Sequence, residues 1–331
     1  VRAATVLALA VAIALCGSAG TLQPLENVLQ NAGFAMRSHA ASGQIHVVEM
    51  DAASVAAIQR WPWDREHYAQ VVERVDEAGA RTIAFDVDFS TASDREQDER
   101  FAAALADANA TVILPVFGQR GSFAEKRQLD SLPIRQLREH ALLGSVSVSP
   151  ASDGLVREMP IGTFNADAPR PSLSAQLAQR SGVADDDFLI DFSIQPDTLP
   201  RHSFIAVKMG EFDPATFAGK DVIIGATAIE MGDRYATPVH GVIPGVIIQA
   251  LAAETLLDGV PVEIGWALPL LLAALFAYAI IAARSRNRIL VQFGLGATLV
   301  FALLHFGASE FALRIAIAPA LVMLIAAALL R

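Results

Sequence analysis

Residues 264–331 read IGWALPLLLAALFAYAIIAA, RSRNR, ILVQFGLGATLVFALLHF, GASE and FALRIAIAPALVMLIAAALLR, and they decide the organisation of the chain. The three long apolar runs are 264–283, 289–306 and 311–330. A helix of about 20 apolar residues, rising about 1.5 Å per residue, crosses a hydrocarbon core about 30 Å thick. The links between the runs are too short to fold separately, so we expect three consecutive membrane helices.

The charges of the two links predict the orientation of these helices. The first link carries Arg284, Arg286 and Arg288, whereas the second carries no base and one acid, Glu310. Short loops rich in arginine or lysine stay in the cytoplasm. We therefore expect the first link inside the cell and everything before Ile264 outside the membrane.

A further apolar run, residues 3–19, follows one arginine at the start of the chain. We interpret it as an uncleaved membrane helix. A cleaved signal peptide is the alternative, because the run is short and ends in small residues. Either interpretation places residues 21–263 in the periplasm or extracellular space, and the expected localisation is the inner membrane, crossed several times.

The segment between the membrane helices is acidic. The 331-residue chain has a net charge of −10, and residues 1–20 with 264–331 contribute +5, which leaves −15 for the outer segment. Such a domain is a poor binder of nucleic acid. The charge suits solubility or, more specifically, a cationic or metal-bridged ligand. The chain has one cysteine, Cys16, which excludes a disulfide framework and a cysteine-based metal site.

The outer segment, residues 22–263, has the pattern of an α/β domain. Short apolar runs typical of strands alternate with helical patterns, of which Arg65 to Ala78 is the clearest. The main strand candidates are 45–51, 81–90, 111–117 and 221–227. Alternation of this kind predicts a mixed, largely parallel sheet with flanking helices. The last expected outer helix, 244–257, leads almost directly to the first C-terminal membrane helix.

Two acids, Asp86 and Asp88, lie two residues apart on one face of the expected strand 81–90. With Asp51, at the end of the preceding strand, they are a candidate carboxylate cluster for a divalent cation or for acid–base chemistry. The alternative is structural, with acids that cap turns or pair with arginines, since a hard metal ion needs more oxygen ligands than two aspartates supply. The arginines considered as partners are Arg65, Arg157 and Arg234.

Two other segments are candidates for ligand contact. Trp61 and Trp63 flank a proline and predict either an aromatic pocket wall or a packed corner between helices. Asp233 and Arg234 follow a strand, where α/β sheets bind ligands, although ion pairing is the alternative. The full set of candidate ligand-binding residues is Trp61, Trp63, Arg65, Asp86, Asp88, Asp233 and Arg234. No Walker-type loop, H-E-x-x-H or G-x-S-x-G motif occurs, so we assign no catalytic residue, metal site or cofactor.

Four sequence blocks follow one another along the outer segment. They are Arg60-Trp61-Pro62-Trp63 with Arg65; IAFDVDFS at 83–90; Asp153-Gly154 with Val156-Arg157; and VIIGAT at 222–227, followed by Asp233 to Pro238 and by Pro244-Gly245-Val246. In order and spacing they resemble the type-two CHASE domain, a sensory extracellular domain associated with cyclases and histidine kinases. The resemblance covers about residues 22–263 and extends to the arrangement of one N-terminal and three C-terminal membrane helices.

The resemblance implies a bacterial receptor, surrounded by membrane lipid, that responds to an unknown small molecule or physical signal. It implies coupling to a cytoplasmic adenylate cyclase, diguanylate cyclase or kinase, and a homodimer, because many such output enzymes work as pairs. The chain ends at Arg331 without an output domain, so we expect either a fragment or a separate cytoplasmic partner. Two other hypotheses stay open: an anchored metal-dependent enzyme that uses Asp51, Asp86 and Asp88, and a transporter. The few polar residues in the membrane helices argue against transport.

Overall fold

The computed structural model describes residues 2–122, 125–165, 168–182, 184, 186–260, 262–310 and 313–330. The chain divides into two compact units. One, here called the α/β unit, is His39–Asp258, and the other, here called the helical unit, combines Val1–Ser38 with Gly259–Arg331.

The helices and strands are numbered here in chain order. The helices are α1 (Arg2–Ser18), α2 (Gln23–Met36), α3 (Ala52–Ile58), α4 (Arg65–Glu77), α5 (Arg95–Asp107), α6 (Arg135–Arg138), α7 (Leu173–Leu177), α8 (Phe204–Met209), α9 (Gly245–Asp258), α10 (Ala267–Ala282), α11 (Arg286–Glu310) and α12 (Ala318–Leu329). The strands are β1 (Ile45–Met50), β2 (Thr82–Asp86), β3 (Thr111–Ser122), β4 (Glu125–Ser131), β5 (Leu142–Ser145), β6 (Glu158–Pro160), β7 (Gly162–Asn165), β8 (Ala168–Pro171), β9 (Asp187–Leu189), β10 (Arg201–Ser203), β11 (Asp221–Ala226), β12 (Arg234–Thr237), β13 (Gly241–Pro244), β14 (Val262–Ile264) and β15 (Leu313–Ile315).

The α/β unit is built on one large sheet. Seven strands within the described ranges form it in the order β10–β1–β11–β2–β3–β4, and β5 also pairs with β3. The antiparallel pair is β3 with β4, and the other pairings are parallel. The expected mixed, largely parallel sheet with flanking helices is confirmed. The four main strand candidates from the sequence, β1, β11, β2 and β3, lie side by side at its centre.

The central strands are apolar on both faces because helices cover both faces. Val48 and Phe85 belong to a buried cluster with apolar residues of α4, α5 and α8. Val47 and Ile223 point to the opposite face, where α9 packs against β1 and β11. This places α9 directly over the middle of the sheet.

The expected strand 81–90 is shorter in the structure. It ends at Asp86, and Asp88 lies beyond it as an exposed residue. The Oδ1 atom of Asp88 accepts a hydrogen bond of 2.8 Å from the backbone N–H of Ser90. Such a local side-chain bond stabilises a turn and competes with strand pairing, so Asp86 and Asp88 do not share one strand face.

The helical unit departs from the expected C-terminal helices. The helix expected at 264–283 begins at Ala267, and α11 begins at Arg286 within the basic link and continues to Glu310. The start of the helix expected at 311–330 is wrong. Residues 311–312 lie outside the described residues, and Leu313–Ile315 forms β15, paired in parallel with β14.

A proline explains where the last helix starts. Pro319 stands in the first turn of α12, where its missing N–H breaks no intrahelical bond. The buried Glu26 accepts a hydrogen bond of 2.8 Å from the N–H of Ala318, which satisfies another donor at this helix end. These contacts stabilise the start of α12 at Ala318.

None of the described helices is, taken singly, long and apolar enough to span a membrane. By length and composition, α1 and α2 together could do so, but they meet at a bend of 80°. Two further helices, α10 and α12, are apolar and shorter. The expected membrane helices at 3–19, 264–283, 289–306 and 311–330 therefore stay a prediction.

Candidate functional site

A cavity of about 400 Å³ lies at the carboxyl end of β2, against the first turn of α9. Its polar wall, as far as the structure describes it, consists of Asp86, Ser147, Ser149, Asp233, Tyr235 and Gln249. Asp86 is the last residue of β2, and Gly245, the first residue of α9, also lines the cavity. Ligands of parallel α/β sheets bind at this edge, outside the carboxyl ends of the strands.

Two glycines allow this arrangement. A Cβ atom on Gly225, which pairs with Asp86 across β11 and β2, would lie 2.7 Å from the Cβ of Val246 on α9. A Cβ atom on Gly245 would collide with the carboxylate of Asp233. The N–H of Gly245 also donates to the backbone carbonyl of Asp233 at 3.1 Å. The glycines therefore let two acids from distant segments meet at the start of α9.

Burial shifts the titration of both acids, and the Asp233 carboxylate adds to the shift of Asp86. Burial raises the pKa of Asp86 to about 8, and the Asp233 carboxylate adds to the shift by repulsion. Burial also raises the pKa of Asp233, against a hydrogen bond from Tyr235 that lowers it. Because burial disfavours the charged form of Asp86 and a second carboxylate adds repulsion, the protonated form of Asp86 is favoured at neutral pH.

Gln249 adds a buried amide to the cavity wall. The residue is 1% exposed, and its Nε2 donates to the carbonyl of Val146 at 3.3 Å. The other amide atom, Oε1, has no hydrogen-bond partner among the described residues. Most buried polar atoms are hydrogen-bonded, so this oxygen marks a position where a donor would bind.

The structure brings Asp86 and Asp233 together and leaves the other acids and Arg234 outside the cavity wall that it describes. Asp88 is exposed and stabilises its own turn. Arg234 donates to the carbonyl of Val242 at 2.9 Å, across the β12–β13 pair.

The expected cluster of Asp51, Asp86 and Asp88 does not form. The carboxylate of Asp51 caps α3 by accepting from the N–H of Ser54 at 2.9 Å, and it also accepts from the hydroxyl of Ser203 at 3.0 Å. Within the part of the chain that the structure describes, no group of three or more His, Cys, Asp or Glu residues could hold a metal ion. The hypothesis of an anchored metal-dependent enzyme is therefore left without the three aspartates that it proposed as metal ligands.

The tryptophans occupy different environments. Trp63 is 4% exposed and packs against Phe204 and Tyr68, with ring centroids 5.0 and 6.3 Å away. Trp61 is 54% exposed and makes an edge contact with Trp63. These contacts correspond to the packed-corner alternative, and neither tryptophan is among the described residues of the cavity wall.

Arg65 is held by structural contacts. Its Nε lies 3.4 Å from the buried carboxylate of Asp98, and its Nη2 donates to the carbonyl of Thr91 at 2.9 Å. The guanidinium carbon also lies 4.6 Å from the centroid of the Phe89 ring, a cation–π distance. These contacts fix the loop before α5 and leave the Arg65 guanidinium committed to the protein.

Sequence reasoning missed three groups of the site. Tyr235 and Gly245 lie in the blocks that carry the family resemblance, but no chemistry was attached to them. Gln249 has a weaker signal: it is an uncharged polar residue in an otherwise apolar stretch of a helix that is buried nearly throughout. Such a residue in a fully buried helix is itself a pointer to a polar partner or ligand.

A family model described as CHASE2 domain matches residues 6–283. The match includes the whole α/β unit and all seven candidate ligand-binding residues. No curated protein and no solved structure matches the chain significantly.

We predict that Asp86→Asn stabilises the protein more at higher pH. Because the folded-state pKa of Asp86 is raised from 3.8 to about 8, the unfolded chain loses this proton first and native stability falls as pH rises through that window. The amide cannot ionise, so its advantage grows by at most about 1.4 kcal/mol per pH unit. Denaturation of the full chain at several pH values measures it.

The matched control is Asp88→Asn, which removes the same charge two residues away at an exposed position. We expect its effect on the free energy of unfolding to stay nearly constant over the same pH range. A pH-independent effect of Asp86→Asn would contradict the assignment of a proton to the Asp86 carboxyl.

Proposed function

This chain belongs to the CHASE2 domain family, whose members are extracellular sensory modules of membrane receptors, and we propose that its α/β unit binds a signal in the cavity beside Asp86 and Asp233. In this proposal the unit lies in the periplasm and controls a cytoplasmic cyclase or kinase output. The receptor acts as a homodimer and does not bind nucleic acid.

The position of the cavity at the start of α9 carries this proposal. Gly245, the first residue of α9, forms part of the cavity wall, and Asp258, the last residue of α9, is also the last residue of the α/β unit. The chain then passes through β14 to α10. A ligand that contacts Asp86, Asp233 and the first turn of α9 is therefore bound to the element that leads out of the sensory unit.

Signalling through α9 requires two states of the protein whose balance the ligand changes. The acid pair supplies a physical reason for two states. In the compact arrangement burial and the Asp233 carboxylate keep a proton on Asp86, whereas an arrangement that separates or exposes the carboxyls lets both ionise. A ligand that compensates the charge favours the compact arrangement. A difference of about 1–3 kcal/mol in ligand binding between the states changes output about 5- to 150-fold.

The apolar surface of the helical unit supports a membrane location. Within α10, the exposed side chains include Leu268, Leu271, Leu275 and Tyr278, while Ala273, Ala277 and Ile280 are buried against other helices. A helix that is apolar on both its packed and its exposed faces is typical of a membrane protein. We propose that the helices cross the membrane and that the basic link between α10 and α11 faces the cytoplasm.

The proposed topology predicts a labelling pattern for single cysteines in a Cys16→Ser background. Glu230→Cys, on the exposed surface of the α/β unit, is expected to react with a membrane-impermeant maleimide in intact spheroplasts. Asn287→Cys, in the first turn of α11 and within the basic segment 284–288, is expected to react only after the membrane is opened. The reverse pattern, or labelling of both sites in intact spheroplasts, would contradict this topology.

The sensory role itself is tested with a diguanylate cyclase domain fused after Arg331. Asp233→Asn removes the carboxylate that helps to raise the pKa of Asp86 and so changes the charge of the cavity, and we expect it to change basal product formation severalfold. Asp88→Asn is the matched control and is expected to leave basal output unchanged. Equal output from the native and Asp233→Asn fusions, with equal expression, would argue that the cavity does not control signalling.

A further inference from the structure

The described part of the cavity wall is rich in acceptors and contains no basic side chain. Its polar residues include Asp86 and Asp233, Gln249, and two serines, Ser147 and Ser149. Serine hydroxyls and a protonated carboxyl donate or accept as needed, whereas a carboxylate and an amide oxygen only accept. Among the described residues, the wall therefore lacks a protein cation to balance its acids.

The three arginines considered as partners of these acids make their contacts elsewhere in the fold. Arg65 contacts Asp98, Arg157 donates to Asp153 at 2.9 Å, and Arg234 donates to a backbone carbonyl. The Tyr235 hydroxyl bonds Asp233 but carries no positive charge. No described residue supplies the ion pair that buried carboxylates usually have.

The unpaired oxygen of Gln249 is an independent observation. Its Nε2 donates to the carbonyl of Val146, which can only accept, and this contact fixes the orientation of the amide. The Oε1 atom is consequently the free end, and it has no donor within the described protein. A ligand that places an N–H group at this oxygen satisfies it.

We propose that this cavity binds a small organic cation that carries N–H groups, such as a primary alkylammonium or a guanidinium compound. The ammonium or guanidinium donates to Asp86, Asp233 and Gln249, and its apolar part lies against Val146 and Val148. A volume of about 400 Å³ falls in the range of small-molecule sites. This inference rests on the proposed function, because it names the ligand class of the same site.

Binding of a cation has a consequence that a neutral ligand lacks. The bound positive charge favours ionisation of both carboxyls, so the proton held by Asp86 is released on binding. Burial and the Asp233 carboxylate raise the pKa of Asp86 to about 8. The affinity for the cation therefore rises as the pH is raised toward that value, by about tenfold per pH unit. Asp233 and Tyr235 are the other titratable groups of the described wall.

The test uses the full chain in nanodiscs of neutral lipid and isothermal titration calorimetry. The probe is n-butylammonium, with 1-butanol as its neutral counterpart and butyrate as its anionic counterpart. We expect n-butylammonium to bind at least tenfold more tightly than 1-butanol or butyrate. Its binding is expected to be tighter at pH 8 than at pH 6 and to release a proton. Equal binding of 1-butanol, or affinity that does not change with pH, would overturn the proposal.

Variants locate the binding. Asp86→Asn, Asp233→Asn and Gln249→Leu are each expected to weaken n-butylammonium binding severalfold or more, whereas Asp88→Asn leaves it unchanged. Thermal denaturation checks that each variant is folded. The three substitutions alter three different side chains of the cavity wall, so a folding defect in one variant leaves the other two as tests. Binding that survives both aspartate changes, or calcium binding without n-butylammonium binding, would overturn the proposal. The fusion that carries Asp233→Asn tests the sensory role without any ligand. A failure of the ligand proposal is therefore distinguishable from a failure of the proposed function.

Discussion

The close approach of α9 to the sheet at Gly225 is the contact on which the candidate site depends. A side chain at this position would collide with Val246 and separate the helix from β11. Without that approach, Asp233, which lies against Gly245, would no longer face Asp86. The electrostatic properties of the cavity therefore follow from a packing constraint, namely the absence of a Cβ atom at one residue of the central sheet.

The two ends of α9 differ in how firmly they are held. Near its end, the buried Glu254 accepts from the N–H and hydroxyl of Ser42 at 2.8 and 3.0 Å, which ties the helix to the segment before β1. At its start, the helix lies beside Asp86 and Asp233. The amide oxygen of Gln249, in the same part of the helix, has no donor among the described residues. A ligand that changes the charge balance at the start of α9 therefore acts on a helix that is buried nearly throughout and anchored at its other end.

The main strands and α9 could be predicted from the sequence because apolar runs and Gly or Pro boundaries are local signals. Asp86 and Asp233 were also named, but in separate hypotheses, since their meeting depends on strand order and on Gly225 rather than on any spacing in the chain. The pairing of Asp86 with Asp88 was wrong because a turn ends β2 after Asp86. The strand at Leu313–Ile315 was missed because its partner, β14, lies about 50 residues earlier.

The proton on Asp86 is the property that most directly connects packing, electrostatics and the proposed ligand. Infrared difference spectroscopy of the full chain, with the Asp86→Asn variant as the reference, measures its carboxyl stretch. The account predicts a protonated-carboxyl band that is present at neutral pH, absent in the variant and lost as pH rises through about 8. An Asp86 carboxyl that is fully ionised at pH values well below neutral would contradict the account.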